Sequence, residues 1–132
     1  MIVVVDASVL VNVLADDAAN GRRARAELRA AGDVAAPDLV DVETVAVLRR
    51  HWLAGTLSAR RFAAAIEDLE MLAIDRYPTL GLMRRAYELR ANVSAYGAAY
   101  VALAETLGCA LLTADGRLAN APGKRCAVRV LT

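Results

Sequence analysis

Two aspartates stand where chemistry is expected. Asp6 directly follows the apolar run Ile2-Val3-Val4-Val5, and Asp115 directly follows Ala110-Leu111-Leu112-Thr113-Ala114. Short continuous apolar runs of this kind read as buried parallel strands. A carboxylate at the end of such a strand is costly unless it is paired, hydrated or bound to a cation. Two or three such groups repel one another, and a hard cation removes that repulsion. Mg²⁺ or Mn²⁺ prefers carboxylate and water oxygens. Held by acids, it lowers the pKa of a water and neutralises charge on a phosphodiester. Glu43 is a third candidate. It lies early in the helix expected after Pro37, beside the core-marking Leu39, Val42, Val45 and Ala46. Acids in a first helical turn also offset the helix dipole. That plainer role is assigned to Asp38 and Asp41, and by spacing alone it stays open for Glu43. Ser8 either caps the first helix or binds a coordinated water or phosphate. Thr113, in a Thr-x-Asp strand end, could orient the Asp115 carboxylate.

The elements that must position these groups alternate along the chain. After strand Ile2–Val5, a helix is expected over Ser8–Ala15. A second runs over Gly21–Ala31, capped by Asn20 and stopped by Gly32. A short strand over Val34–Ala36 ends at Pro37. Asp38 then caps a long helix reaching about Ala54, closed by Gly55. Ser58 caps the next, to about Leu69. Met71–Ile74 is a weak strand candidate, and Thr79 caps a helix over Leu80–Arg90. A helix over Tyr96–Leu107 ends at Gly108, followed by strand Ala110–Ala114, a helical turn at Arg117–Ala121 and a last strand over Val128–Leu131. Strands separated by helices imply right-handed crossovers and a mainly parallel sheet covered on both faces. In such sheets ligands gather beyond the carboxyl ends of the strands, where Asp6 and Asp115 both stand.

Composition bounds the rest. The chain has 132 residues, 58 % of them hydrophobic, enough for one packed core and one domain over 1–132. No apolar run approaches the roughly 20 residues of a membrane span. The N-terminus lacks a basic leader, so a cytoplasmic location is expected. Cys109 and Cys126 follow no metal-binding spacing and His51 is the single histidine, which argues against zinc and for reduced, mostly buried thiols. Net charge is only +1, and every basic residue except Lys124 is Arg. The pairs Arg22-Arg23, Arg49-Arg50, Arg60-Arg61 and Arg84-Arg85 read first as solvated helix faces, although one or two could line a path for a polyanion. Aromatic residues are 5 %, so base stacking is not expected to dominate recognition. Trp52 is expected in a helix interface. Tyr96 and Tyr100 serve either core packing or substrate contact.

Four segments in order carry a family resemblance: Val4-Val5-Asp6-Ala7-Ser8-Val9-Leu10, Pro37-x5-Glu43-x4-Leu48, Tyr96-Gly97-Ala98-Ala99-Tyr100-Val101-Ala102-Leu103-Ala104, and Leu112-Thr113-Ala114-Asp115. The resemblance they carry covers essentially the whole chain. It resembles PIN-domain ribonucleases, specifically VapC-type toxins of bacterial toxin–antitoxin pairs. The resemblance implies a three-layer α/β/α sandwich around a small, mainly parallel sheet. It implies endoribonuclease activity dependent on Mg²⁺ or Mn²⁺. It places catalytic, metal-binding acids at Asp6, Glu43 and Asp115, with Ser8 and Thr113 as polar support. It further implies a homodimer and a cognate antitoxin whose C-terminal segment covers the acidic groove. One position departs: the family pattern is Tyr-Asp-Ala where this chain has Tyr96-Gly97-Ala98. No conformational demand for glycine is visible in the flanking residues, so Gly97 reads as a lost carboxylate and an impaired site. The alternative is an inactive module that only binds RNA or antitoxin. Phosphotransfer folds fit poorly, since Asp6-Ala7-Ser8 offers one acid where a dehalogenase-like phosphatase needs two, and Lys124 ends no apolar strand.

Overall fold

The computed structural model describes residues 1–131. Strand β1 (Ile2–Val5) leads through α1 (Ala7–Ala15) and α2 (Ala19–Ala30) to β2 (Asp33–Pro37). Then follow α3 (Leu39–Leu53), α4 (Ala59–Met71), β3 (Asp75–Tyr77), a 3-10 turn (Leu80–Leu82) and α5 (Met83–Glu88). The chain closes with α6 (Ala95–Leu107), β4 (Ala110–Thr113), α7 (Gly116–Ala119) and β5 (Val128–Val130). The sheet order is β3-β2-β1-β4-β5, and every pair is parallel. The expected mainly parallel sheet is thus parallel throughout, in an α/β sandwich.

Val3, Val4 and Val5 are all buried, so β1 is covered on both faces. Helix α6 lies against β1, β2 and β4, with α5 packed on it. Ala98 to Ala104 are buried without a break, because α6 is enclosed on all sides. Its small residues let the backbone approach the sheet closely. Ser94 caps its N-terminus through the Gly97 N–H, and Gly108 ends it in the left-handed region at φ 64°. On the other side α1 gathers α2, α3 and α4. The chain winds outward from β1 to β3, then returns to β4 on β1's other edge. The gap beyond β1 and β4 is therefore the topological switch point.

Several boundaries differ from the sequence reading, each for a physical reason. Asn20 does not cap α2, which begins at Ala19 after Ala18 with no side-chain cap. The turn before it is held instead by Asp16 Oδ1, which accepts from the Ala18 N–H. Helix α2 ends at Ala30, and Gly32 donates to the Met1 carbonyl rather than stopping the helix itself. Asp38 does not cap α3 with its own side chain. It accepts from the Thr79 N–H and hydroxyl, and Thr79 Oγ1 in turn accepts from the Leu39 N–H. Thr79 therefore serves α3, and the stretch after it breaks into a 3-10 turn and the short α5 instead of one helix to Arg90. The third strand is Asp75–Tyr77, not Met71–Ile74. Met71 still belongs to α4, while the strand is a polar edge pinned to α3 by the Arg76 fork on Asp41. Trp52 does sit at a helix interface, against Phe62 with ring centroids 6.4 Å apart. Cys109 and Cys126 are free and half-buried rather than mostly buried.

Gly21 marks the closest approach of α2 to the end of α1. A Cβ there would stand 1.7 Å from the Asp16 carbonyl oxygen, which Arg25 Nη1 also binds at 2.9 Å. Gly21→Ala should therefore destabilise the fold by about 3 kcal/mol, since overpacking against backbone has no soft partner. Gly81→Ala is the control, because a Cβ there meets nothing within 4 Å. Its urea midpoint should stay near that of the parent while that of Gly21→Ala falls clearly.

Candidate functional site

Beyond the carboxyl ends of β1 and β4 lies a cleft of about 860 Å³. Asp6, Ser8, Glu43, Gly97 and Asp115 all line it. Thr113 stands behind them, fully buried. The sequence-derived candidates from four separate segments thus meet at one place.

Asp6 is the most constrained. It is 6 % exposed, yet it ends a strand and caps a helix at once. Its Oδ1 accepts from the Ser8 hydroxyl at 2.5 Å and from the Val9 N–H at 3.2 Å. Its Oδ2 accepts from the Thr113 hydroxyl at 2.5 Å. Asp6, rather than Ser8, is the side-chain cap of α1. Ser8 Oγ accepts from the Ala114 N–H, and Thr113 Oγ1 accepts from the Asp115 N–H. The two hydroxyls therefore bind both strand ends into one frame. Burial pushes the Asp6 carboxyl above its ordinary value, and the bonds from Ser8, Thr113 and Val9 only partly offset this.

Glu43 projects from α3 and accepts from the Tyr100 hydroxyl at 2.5 Å. Tyr100 is buried on α6, and desolvation, with Glu43 and Asp6 nearby, raises its phenol far above the usual range, so it remains a donor. This buried donor separates Glu43 from Asp38 and Asp41, which serve the helix start and Arg76. Tyr96 is exposed on the cleft wall. Asp115 caps α7 through the Arg117 N–H, and the Arg117 side chain spans both its carboxylate oxygens. That guanidinium holds the Asp115 carboxyl below the usual range.

Two features escaped the sequence reading. One is Arg117, which stands two residues from Asp115 and carried no distinguishing motif. The other concerns Gly97. Its φ is not positive, so no backbone demand selects glycine. Packing does bear on it: an added Cβ would lie 3.0 Å from Leu118 Cδ2 and 3.1 Å from Val93 Cγ1. A side chain at 97 fits only if Leu118, and to a lesser extent the stiffer Val93, gives way.

The profile of the PIN domain matches residues 3–124. The chain belongs to the PIN-domain family. Among curated relatives it is similar to Ribonuclease VapC9 of Mycobacterium tuberculosis, 43 % identical over 129 residues that cover 98 % of each chain. It is also similar to Ribonuclease VapC1 of the same species, at 40 % identity over 97 % of this chain and 96 % of the relative. The resemblance is thus to VapC-type PIN ribonucleases over nearly the full length. Among solved structures, VapC20 of Mycobacterium tuberculosis, a sarcin-ricin loop cleaving toxin, aligns with a TM-score of 0.68. It covers 89 % of this chain and 92 % of that one at 18 % identity. VapBC2 of Rickettsia felis aligns with a TM-score of 0.70 at 11 % identity, covering both chains completely. At these identities the structures speak for the fold alone.

A hard divalent cation can be tested against this PIN-domain cleft by its donors. All candidate ligands are carboxylate oxygens, as Mg²⁺ or Mn²⁺ prefers. Asp6 keeps acceptor capacity on Oδ2, which receives one bond. Glu43 receives the Tyr100 hydroxyl on one oxygen and has the other free of hydrogen bonds. Asp115 is engaged by Arg117, whose side chain is 91 % exposed and held by nothing else. Among the described residues, no three His, Cys, Asp or Glu side chains converge closely enough to hold an ion as they stand. The donor chemistry fits a hard cation, and Asp115 is the member of the set paired to an arginine.

Asp6 gives this cleft a pH signature. Its carboxyl is raised from 3.8 in the fold. A raised acid favours the folded state while protonated, and that contribution is lost as pH rises through the folded value. Without divalent cations, stability should decline as pH climbs from about 4 through the raised value, apart from other groups. Asp6→Asn should remove this decline. Thermal melts from pH 4 to 8 in EDTA, compared between parent and variant, check it; parallel profiles would refute it.

Proposed function

We propose that this protein is a divalent-metal-dependent endoribonuclease of the VapC type, the toxin of a toxin–antitoxin pair, with catalysis impaired at Gly97. The observation that carries this reading is the convergence of Asp6, Glu43 and Asp115 on one cleft at the switch point of the sheet. Near-full-length similarity to VapC ribonucleases supports the activity.

Asp6, Glu43 and Asp115 would hold Mg²⁺ or Mn²⁺. Once bound, such an ion supplies an activated water and offsets charge on the phosphate. The chain's own residues set the geometry. Ser8 and Thr113 fix the Asp6 carboxylate by donating one hydroxyl to each of its oxygens. Tyr100 sets Glu43 from across the gap. Arg50 lies seven residues after Glu43, two turns along the same face of α3, and lines the cleft, where it can grip a flanking RNA phosphate. The missing acid at 97 lowers the negative charge available to an ion. Cleavage suffers more than ion binding, because misplacement of about 1 Å costs about 100-fold in rate. The protein acts as a single domain over 1–132, in the cytoplasm, as a homodimer. Its cognate antitoxin covers the cleft with a C-terminal segment.

A second reading has its own support. Leu118 packs over Gly97, so the space an acid would occupy is partly filled. That favours a catalytically inactive PIN module that keeps RNA or antitoxin binding.

One comparison separates the two. Total RNA or a tRNA mixture is incubated with the parent, with Gly97→Asp, and with Gly97→Asp combined with Leu118→Ala, in Mg²⁺, Mn²⁺ or EDTA. The ribonuclease reading expects weak cleavage by the parent and a gain of about 100-fold on restoring the acid. The double variant should gain at least as much, and EDTA should abolish cleavage in all. Equal cleavage by parent and variants would remove the claim of impairment. Silence in all three across a broad RNA set would favour the binding module.

A further inference from the structure

The ion pairs of this molecule fall into two kinds. Arg61–Asp17, Arg76–Asp41, Arg85–Glu105 and Arg129–Glu27 each join separate elements and so tie the fold together. Arg85–Glu88, within α5, and Arg117–Asp115 are local, joining residues three and two apart. What distinguishes Arg117–Asp115 is place: both partners line the acidic cleft. Among the described residues, Arg50 and Arg117 are the only arginines that do so. Arg50 has no acidic partner among the described residues, whereas Arg117 covers both oxygens of Asp115, with Nε at 3.0 Å from Oδ1 and Nη2 at 2.8 Å from Oδ2.

We propose that Arg117 is a built-in counter-ion for Asp115: it holds that carboxylate while the cleft lacks a cation, and grips an RNA phosphate once Asp115 turns to a divalent ion. The proposal rests on the ribonuclease reading above and assigns a substrate contact within it. Three arguments carry it. Asp115 lines the same cleft as Asp6 and Glu43, and the Arg117 guanidinium is the cation paired with it. The Arg117 side chain is 91 % exposed, so no packing locks the pair and release is easy. The planar fork that spans a carboxylate also spans a phosphodiester, whose two free oxygens have similar geometry. Movement of one exposed side chain would convert a resting cleft in which Asp115 is paired into one that holds both cation and substrate.

The test uses the full chain, Mn²⁺ alone as the metal probe, and a fluorescent single-stranded oligoribonucleotide. Calorimetry reads Mn²⁺ affinity. Anisotropy at saturating Mn²⁺, before cleavage sets in, reads RNA affinity across several salt concentrations. Arg117→Gln removes a competitor, so it should tighten Mn²⁺ binding by about two- to fivefold, the scale of an exposed ion pair. It should also weaken RNA binding and lower the salt slope by about 0.7, one phosphate contact on a single strand. Arg117→Lys should restore the salt slope, because it keeps the charge, and should bind RNA less tightly than the parent, because it loses the fork. Asp115→Asn should weaken Mn²⁺ binding. Unchanged or weaker Mn²⁺ affinity in Arg117→Gln overturns the counter-ion role, and an unchanged salt slope overturns the phosphate contact. If the parent binds neither Mn²⁺ nor RNA while remaining folded, the ribonuclease reading itself fails and the proposal falls with it.

Discussion

The structure turns on one buried carboxylate. Asp6 closes the central strand where burial opposes its charge, and three donors make that position tolerable. Each donor commits a different part of the chain. The Val9 N–H requires α1 to start at once. The Thr113 hydroxyl requires β4 to lie beside β1 with Val5 opposite Leu112, so that Asp6 falls opposite Thr113. A slip of one residue would turn Thr113 to the wrong face. Ser8 joins the two by donating to Asp6 and accepting from Ala114. The register of the sheet and the geometry of the cleft are therefore one constraint.

Glu43 is held in a different way. It rides on α3, which touches the sheet lightly, and its fixed partner is Tyr100 on α6. That bond crosses the cleft and relates two helices that have few other reasons to keep a set separation. Tyr100 stands three residues after Gly97, on adjoining turns of α6. The helix therefore presents a donor to Glu43 close to the position from which it presents no acid. On the ribonuclease reading proposed above, an acid at 97 would add repulsion to the anionic cleft, so its absence bears on the chemistry more than on the fold.

The sequence made the buried strands legible because burial on both faces writes a continuous apolar run, as in Val3-Val4-Val5 and Leu111-Leu112. The acids that follow those runs were legible for the same reason. β3 was not, because an edge strand paired on one side carries Asp75-Arg76-Tyr77 and is fixed by a salt bridge to a residue far away in sequence. Thr79 showed a local capping pattern, yet its hydroxyl belongs to a helix that begins forty residues earlier. Spacing along α3 left Glu43 open to the plainer helix-dipole role and the family resemblance picked it out; the physical distinction from Asp41 is the contact with Tyr100, which that spacing does not encode. The three-dimensional reason for a small residue at 97 came likewise from elsewhere, from Leu118 on α7.

The short helix α7 gathers what remains. Its second residue, Arg117, neutralises the acid at the end of β4, and its third, Leu118, packs over the glycine on α6. One four-residue turn thus supplies a positive charge to the cleft and fills space beside Gly97. These two effects act on different properties. Phosphodiester hydrolysis needs water and phosphate aligned within a fraction of an ångström and is sensitive to every ligand. Holding a polyanion needs only positive charge in reach of its backbone and tolerates movement. Of the two cleft arginines, Arg50 shares α3 with Glu43 and Arg117 shares α7 with its cap Asp115, whereas position 97 lies on α6. On the ribonuclease reading proposed above, a change at position 97 therefore strikes hydrolysis while leaving the charges that attract RNA where they are.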